Sequence, residues 1–464
     1  MNTRQSALTT GALVLGVAVA MPAAAEGFKD LHDSALEPTY RTYDVEAAWP
    51  DFAVDHRWPK PLPHKWIIGQ VGGIAVDKHD NIWILQRARS LDSSEAGATG
   101  AYVDPETGEV ATILNDDGEE VPINGNGNPR PYGPVSDCCL PAPAVMKFDK
   151  EGNLLDAWGG PADEGYLGSD KCREEDGCVW PGGEHGIYVD HNGYVYIAGN
   201  GAGDGEFPWS GTHGEDAHVL KFSSDGTFVL RIGEPGNDMT TSNDTDGASN
   251  GTPLLYNPAD IEVDAKTNEL YIADGYGNHR VVVVDAETGM YKRHWGAYGQ
   301  NPVDDAAADA VGPYAEDRDA GIIPQHFRNP VHCVRITHDR KVYVCDRANN
   351  RIQVFETDGT FIEEKFIRQD TLGSGATWDL DTSTDRKQSC LYNVDGTNQY
   401  ADILYRETLD LIASFGRNGR SAGQFHWVHN VAVDSHGNMY TAEVDTGKRA
   451  QKFVRSGVDG CWLK

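Results

Sequence analysis

The chain has 464 residues and a formal net charge of −32, with 71 acidic side chains against 39 Lys and Arg. This excess of negative charge argues against binding to nucleic acid and against adhesion to anionic lipid, because both of those partners are themselves anionic. The eight cysteines are an even number, which suits an oxidising compartment in which disulfides persist.

The first residues predict export from the cytoplasm. A mostly apolar run over residues 6–22 follows one charged side chain, Arg4, and leads to the small residues Ala23–Ala25. The apolar core is too short to span a bilayer, and no stop-transfer pattern follows it. We therefore predict a secretory signal peptide over residues 1–25, a single domain over residues 26–464, no membrane span, and a periplasmic or secreted protein.

A β-hairpin pattern recurs six times along the rest of the chain. Each copy has a β-rich run, often ending in Val-Asp, then a turn and a second β-rich run. The copies begin at Gly73, His185, Ala259, His332, Ala376 and His429. Five copies continue into two further strands, as in VLKFSSDGTFVLRIG, which ends at Gly233. Four strands per unit, six units and no sustained helical periodicity predict an all-β fold, a six-bladed β-propeller.

The sixth unit has no clear fourth strand before Lys464. The stretch Arg41–Trp49, RTYDVEAAW, resembles the missing strand. We therefore expect this N-terminal strand to close the ring, so that N-terminal and C-terminal segments share one blade.

Five long insertions interrupt the repeat. They cover residues 90–140, 161–184, 201–217, 234–256 and 297–328, and they are rich in Gly, Asp, Asn and Pro. Four of them lead into a new inner strand and one follows a second strand, and these positions share one face of a propeller. Long loops gathered on one face usually build a binding site or a cover over it.

Histidine alternates with a small residue at one position of the repeat. Counting five residues back from the Asp or Thr that ends each first strand gives, in units one to six, Gly72, His185, Ala259, His332, Ala376 and His429. The innermost strand of each blade begins here, and blades two, four and six are a third of a turn apart. The imidazoles should therefore converge on the axis, where three neutral nitrogens around one open position are typical of catalytic zinc. A single histidine here would more simply be structural, whereas three in register favour a metal.

The second strand of each hairpin returns to the same face, so its last residues should surround the same channel mouth. Arg87 in unit one and Arg347 in unit four lie there on opposite sides of the axis, and unit three has Asp274, Gly275 and Tyr276. Two cations and a phenol beside a metal suit a small anionic substrate, because guanidinium binds carboxylate bidentately. The phenol could accept a proton. Alternatively, Arg347 and Asp274 only tie strands together, and the residues leave both interpretations open.

At these residues the sequence resembles a known family. DGYGNHRVVVV and DRANNRIQVF resemble NHL repeats, while GQVGGIAVD, HGIYVD, ADGYGNHR, HCVRI and HNVAVD resemble the peptidyl-α-hydroxyglycine α-amidating lyases over most of the chain outside the insertions. The resemblance implies a six-bladed propeller with a bound Zn²⁺, or another divalent transition metal, and a structural Ca²⁺. The implied residues are His185, His332 and His429 for zinc, Tyr276, Arg87 and Arg347 for catalysis, and the carbonyls of Val71 and Ile187 for calcium.

The family's activity implies cleavage of a carbinolamide, R-CO-NH-CH(OH)-COO⁻, into an amide and glyoxylate, so the implied substrate is small, anionic and peptide-derived. Three positions depart from the family pattern: Asn430 replaces a calcium-binding Asp, Gly277 a disulfide Cys, and Trp427 a Met. A neutral amide at position 430 should weaken calcium binding. Because the catalytic residues are kept while their surroundings change, a lyase acting on another small carbinolamide or hydroxy acid also fits.

The cysteines provide one geometric expectation. Cys333 and Cys345 are equidistant from the turn of the unit-four hairpin, so they should face each other on adjacent strands. Cys172 and Cys178 flank a short acidic loop that they could close. The remaining cysteines are Cys138, Cys139, Cys390 and Cys461. Their pairing cannot be deduced from the sequence.

Two other functions fit the same fold. Six-bladed propellers include hydrolases such as lactonases, which usually hold calcium with acidic channel side chains, whereas this position has histidine and small residues. A non-enzymatic propeller that binds a partner through its loops is the other alternative, and it leaves the three aligned histidines unexplained. The sequence therefore favours a metal-dependent lyase.

Overall fold

The repeats form six four-stranded antiparallel sheets. The computed structural model describes residues 47–91, 95–98, 112–114, 120–122, 136–160, 171–201, 216–237, 241–304, 321 and 323–463. Blade one contains Gln70–Val76, Ile82–Arg87, Val145–Phe148 and Leu154–Trp158, and blade two contains Glu184–Val189, Val195–Gly199, His218–Phe222 and Phe228–Gly233. Blade three contains Asp260–Asp264, Glu269–Asp274, Arg280–Asp285 and Tyr291–Trp295, and blade four contains Val331–Ile336, Lys341–Asp346, Arg351–Glu356 and Phe361–Phe366. Blade five contains Asp379–Thr382, Cys390–Asp395, Tyr400–Tyr405 and Asp410–Phe415.

Blade six combines two parts of the chain. Its strands are Val428–Val433, Met439–Glu443, Arg449–Ser456 and, outermost, the N-terminal strand Asp51–Val54. The first strands of neighbouring blades contact one another around a closed circle, so they line a central channel. The prediction of an all-β, six-bladed propeller is confirmed.

The closing strand is N-terminal, as expected, but its predicted position is wrong. Asp51–Val54 pairs with the third strand of blade six, with Asp51 opposite Ser456. Phe52 anchors this register, because its ring packs 5.6 Å from that of Tyr392 and 5.2 Å from that of Phe415.

The segment predicted to close the ring, Arg41–Trp49, has a different partner. Within it, Ala47–Ala48 pairs with Trp462–Leu463, and residues 41–46 lie outside the described part of the chain. Trp49, the large side chain at the end of this segment, is 41% exposed, whereas the ring of Phe52 packs against two rings of blade five.

Short elements complete the described structure. Trp66–Ile67 pairs in parallel with Leu140–Pro141, and within the blade-one insertion Thr112–Leu114 pairs with Glu120–Pro122. Short 3₁₀ turns cover Ala88–Ser90, Glu174–Asp176, Ala297–Gly299 and Arg347–Asn349. Among the described residues, no helix has the length and apolarity that crossing a membrane requires. The signal peptide over residues 1–25 and the domain boundary at residue 26 lie outside the described ranges and stay predictions.

Tryptophans at the ends of outer strands pack neighbouring blades together. Trp158 of blade one lies over Gly226 of blade two, where an added Cβ would be 2.6 Å from the indole ring. Trp295 lies over Gly359 of blade four in the same way, at 2.8 Å. Both glycines have positive φ, so the turn and the close approach each require glycine.

The cysteines form four disulfides, and none of them is free. Cys333–Cys345 joins two directly opposed residues of the blade-four hairpin, and Cys172–Cys178 closes the acidic loop, as the sequence predicts. Cys138–Cys139 is a vicinal pair, and Cys390–Cys461 ties the C-terminal segment to blade five. Four bridges suit an oxidising, extracellular environment.

The end of the channel beyond the histidines opens into a cavity of about 450 Å³. Acidic side chains line it from the first strands of blades three and five, and Arg335 of blade four lies among them. These side chains are Asp260, Glu262, Asp379 and Asp381. Arg335 lies 3.3 Å from Glu262 and 3.5 Å from Asp379, so one partly buried cation faces several carboxyl groups that are buried or nearly so.

Candidate metal centre

Three imidazoles meet near the axis of the propeller. His185, His332 and His429 lie near the start of the first strands of blades two, four and six, and all three are buried. One ring nitrogen of each lies within 4.8 Å of those of the other two. The ring centroids are 4.5, 4.8 and 4.9 Å apart. The structure therefore brings the three predicted residues together in a group that could hold a metal ion.

Each histidine also hydrogen-bonds to the main chain of the next blade. The acceptors are the carbonyls of Ala259 for His185 at 2.7 Å, Trp378 for His332 at 2.5 Å, and Gly72 for His429. Nδ1 of His429 additionally contacts Oδ1 of Asn430. A carbonyl can only accept, so in these imidazoles Nδ1 donates its hydrogen and Nε2 keeps its lone pair. Outer hydrogen bonds of this kind fix the tautomer and the ring orientation that a metal requires.

Burial keeps the three imidazoles neutral. It is the largest cause that lowers the pKa of His185 and of His332 well below the usual value, and the pKa of His429 to about 3. The guanidinium charges of Arg87 or Arg347 lower the pKa of each histidine further. Neutral imidazole is the form that binds a metal, so at neutral pH these nitrogens compete with no proton.

Blade five departs from the predicted alternation of histidine with a small residue. Its hairpin turn is long: the amide of Ser383 bonds to the carbonyl of Cys390, whereas in blade two Asp190 bonds to Tyr194. Ser383 therefore ends the first strand, and the residue five positions earlier is Trp378. The assignment of Ala376 to this position is wrong, because Trp378, only 4% exposed, lies there.

Tyr276 reaches the histidines from the end of blade three. Gly275 comes between the second strand, Glu269–Asp274, and this tyrosine, and a Cβ at Gly275 would lie 1.9 Å from the carbonyl oxygen of Val331. The close approach therefore requires glycine at this turn.

The hydroxyl of Tyr276 links the imidazoles to a guanidinium. It lies 3.1 Å from Nε2 of His185 and 3.1 Å from Nε2 of His332. One terminal nitrogen of Arg347 donates to it at 2.9 Å. A phenol oxygen held by a cation beside two imidazole nitrogens is placed where it could exchange a proton with a bound ligand.

Arg347 lies on the turn Arg347–Asn349, which follows the second strand of blade four. Its guanidinium lies 4.4 Å above the ring of Trp378 and 5.4 Å from the ring of Tyr276. Its Nε is buried and has no hydrogen-bond partner among the described residues. Stacking on tryptophan holds the cation without neutralising it.

Arg87 ends the second strand of blade one and is 7% exposed. Nε donates to the carbonyl of Glu184 at 2.7 Å, one terminal nitrogen to Oε1 of Gln70 at 2.9 Å, and the other to Oδ1 of Asn200 at 3.1 Å. Among the described residues, neither predicted arginine therefore has a carboxylate in direct contact with its guanidinium.

Other arginines tie the strands together. Two such pairs are fully buried, Arg280–Asp274 at 2.9 Å and Arg351–Asp346 at 2.6 Å, and Arg449 pairs with the buried Glu443 at 2.8 Å. The sequence left open whether Asp274 acts in the site or only joins strands. Its ion pair with Arg280 shows that it joins the second and third strands of blade three. Arg347 is not such a tie, because Arg351 has that role in the same blade.

Sequence reasoning missed three residues of the site: Gln70, Asn200 and Trp378. Asn200 had a detectable signal, because strand pairing places it at the same repeat position as Arg87 and Arg347. Gln70 had no such signal, because its role depends on a hydrogen bond that its side chain makes to Arg87 on the neighbouring strand.

The calcium expectation concerns Val71, Ile187 and Asn430. Val71 and Ile187 lie buried on the first strands of blades one and two. Both ends of the Asn430 side chain have partners: Oδ1 contacts His429, and Nδ2 donates to Asp379 at 3.3 Å. Two carbonyls and one engaged neutral amide include no carboxylate, the ligand that Ca²⁺ prefers. These three residues alone fit calcium poorly, calcium stays a prediction, and no step below depends on it.

Comparisons with known proteins agree with the repeat. A model of the NHL repeat matches residues 255–284. The chain is 28% identical over 222 residues to NHL repeat-containing protein 3 of Mus musculus, covering 47% of this chain and 46% of that protein. It is 24% identical over 221 residues to peptidyl-glycine alpha-amidating monooxygenase B of Xenopus laevis, covering 42% of this chain and 22% of that protein. The chain thus spans less than half the length of these relatives. Among solved structures, a streptogramin B lyase aligns over 87% of this chain and 98% of its own, with 12% identity and a TM-score of 0.42.

Proposed function

We propose that this protein is a metal-dependent carbon–nitrogen lyase that cleaves a carbinolamide, R-CO-NH-CH(OH)-COO⁻, into an amide and glyoxylate. One arrangement supports the proposal above all. Nε2 of His185 and of His332 lies 3.1 Å from the hydroxyl of Tyr276, and Arg347 donates to that same hydroxyl. A metal-binding group, a proton acceptor and a cation thus share one small volume.

The three histidines would hold the metal through Nε2, because their other nitrogens already donate to oxygens. Three imidazoles with an open position are a donor set that zinc accepts in catalytic sites, and other divalent transition metals also bind imidazole. When bound, such an ion supplies a Lewis acid that makes a substrate hydroxyl more acidic.

Arg87 and Arg347 would bind the carboxylate of the substrate. A buried cation without a counter-ion costs free energy, so an anionic ligand is expected to complete the site. Nε of Arg347, which has no partner in the described part of the chain, would offer one donor for it. Guanidinium groups bind carboxylates with well-defined geometry, which would also orient the carbinol carbon.

Tyr276 would transfer the proton. As phenolate, its oxygen takes the proton of the substrate hydroxyl while the carbon–oxygen double bond forms and the carbon–nitrogen bond breaks. The departing amide nitrogen then receives that proton, so that amide and glyoxylate are formed and Tyr276 returns to its starting state. Arg347, which donates to the same oxygen at 2.9 Å, would stabilise its negative charge.

The relatives bear on the proposal unequally. Peptidyl-glycine alpha-amidating monooxygenase is by name an amidating protein, and the proposed reaction also produces an amide. NHL repeat-containing protein 3 is named for its repeat alone. Since both matches are partial and below 30% identity, the proposed chemistry rests mainly on the site.

Metal analysis of the purified protein, combined with an assay of glyoxylate release from an α-hydroxyglycine peptide, tests the proposal. We expect about one equivalent of a divalent transition metal per chain and equal amounts of amide and glyoxylate. Metal without glyoxylate would reject this substrate and turn attention to lactones as substrates of a hydrolase. Neither metal nor glyoxylate would favour a non-enzymatic binding propeller.

A further inference from the structure

The buried arginines of this repeat are of two kinds. Arg280 and Arg351 are fully buried and each bonds a fully buried carboxylate. Arg87 is nearly as buried, yet its three acceptors are all neutral oxygens, supplied by Glu184 through its main chain and by Gln70 and Asn200 through their amides. Gln70 itself is only 4% exposed. Leaving a buried guanidinium without a counter-ion costs free energy, and a ligand that brings negative charge would recover it.

We propose that Gln70 and Asn200 are positioning residues that aim Arg87 at the carboxylate of a ligand and leave its charge unpaired until that ligand binds. The inference rests on the proposed function only for the identity of the substrate, since the geometry concerns any small carboxylate. Three observations support it: the neutral acceptors, the absence of a carboxylate partner in the described residues, and the shared repeat position of Asn200, Arg87 and Arg347 at the channel mouth.

These two amides matter because they are neutral, and not because of their shape. Asn200→Asp and Gln70→Glu keep the side-chain volume but place a carboxylate where a neutral oxygen now lies 3.1 or 2.9 Å from the guanidinium. The new carboxylate would pair with Arg87 inside the protein and compete with the ligand. Asn200→Ala removes one hydrogen bond and places no carboxylate beside Arg87. It should therefore weaken binding of the ligand less than the two acidic variants do.

The test compares these three variants with the wild type and with Asn192→Asp. Asn192 is exposed in the hairpin turn of blade two, so this control makes the same change of residue type away from the site. Calorimetry measures binding of glycolate, a small hydroxy acid, to the metal-loaded protein. Glyoxylate release from an α-hydroxyglycine peptide supplies KM and kcat separately.

We expect both acidic variants to raise the Kd for glycolate and the KM by about tenfold or more, with kcat within about threefold of wild type, because the carboxylate is held equally before and during the reaction. Asn200→Ala should raise both constants by only about two- to fivefold. The control should match the wild type, and metal content should be the same in all proteins. If one acidic variant fails to fold, the other still decides the test.

Three results would overturn the inference. The first is acidic variants that bind glycolate as tightly as wild type, and the second is an Asn200→Ala variant that loses as much affinity as Asn200→Asp. The third is a wild type that binds no glycolate. A wild type that binds glycolate and releases no glyoxylate would instead reject the proposed substrate, and the comparison of glycolate affinities would still decide the roles of Gln70 and Asn200.

Discussion

Replacing Tyr276 with Phe removes a single oxygen from the centre of the site. That oxygen lies 3.1 Å from Nε2 of His185, 3.1 Å from Nε2 of His332 and 2.9 Å from a nitrogen of Arg347. The ring would remain, with its centroid 5.1 Å from that of His185 and 5.4 Å from the guanidinium carbon of Arg347. The wall of the site should therefore stay in place, and the change is chemical rather than steric.

The size of the effect follows from what the oxygen is proposed to do. A positioned proton acceptor contributes about 10²- to 10⁴-fold to a rate, so kcat for glyoxylate release should fall by at least about 100-fold. KM should change by less than about threefold, because Arg87 and Arg347 still hold the carboxylate. Metal content should not fall, since the imidazoles lose only a neighbour that competes for their lone pairs.

Tyr298→Phe is a matched control for this experiment. Tyr298 is also half-buried, and Arg351 donates to its hydroxyl at 2.9 Å, as Arg347 does to that of Tyr276. The control should keep full kcat and lose about 1–3 kcal/mol of stability, because the hydroxyl of Tyr298 also donates to Glu364 or to the carbonyl of Pro324. A Tyr276→Phe enzyme that retained more than about a tenth of the wild-type kcat would refute the proton-transfer role.

Three further predictions concern the metal, the turn and the channel. His332→Ala should reduce bound metal from about one equivalent to below about a tenth, with an unchanged circular dichroism spectrum; a variant that keeps its metal contradicts the three-histidine site. Gly275→Ala should lower kcat by about tenfold or more, because its Cβ would lie 1.9 Å from the Val331 carbonyl and must displace Tyr276; unchanged kinetics would show that the turn adapts. Burial raises the pKa of Glu262 to about 8 and also raises that of Asp260. Between about pH 7 and 8 the histidines are neutral in both the folded and the unfolded state, so these carboxyl groups make the folded state bind more protons than the unfolded state. The urea midpoint should therefore fall as pH rises through this range, and Glu262→Gln should flatten the slope.

Repetition explains why so much of the fold could be predicted. Six copies of one hairpin pattern define the blades, and an error in one copy leaves the ring unchanged. The closing strand had no such support, because it occurs once. Arg41–Trp49 has the right alternation, yet Phe52 provides the ring that packs against Tyr392 and Phe415. Packing partners of a strand that occurs once cannot be read from its own residues.

The candidate site was predictable to the extent that its residues recur in register. His185, His332 and His429 were found because one position repeats, and Arg87 and Arg347 because another does. Blade five was misaligned since Asp381 resembles the Asp that ends other first strands, while the longer turn begins at Ser383. A two-residue shift of this kind keeps every side chain on the same face of the strand, so alternation alone cannot detect it.

The corrected register changes what the alternation means. In blades one, three and five, the shared contribution of this repeat position is a main-chain carbonyl that orients the histidine of the preceding blade. These carbonyls belong to Gly72, Ala259 and Trp378. Because a carbonyl is common to all residues, the side chain there is free to differ from blade to blade. In blade one a Cβ would lie 2.4 Å from the carbonyl of Glu184, which permits only glycine. In blade five the side chain is that of Trp378, and its ring lies 4.4 Å beneath the guanidinium of Arg347. Trp378 therefore orients both His332, a proposed metal ligand, and Arg347, which is proposed to bind the substrate.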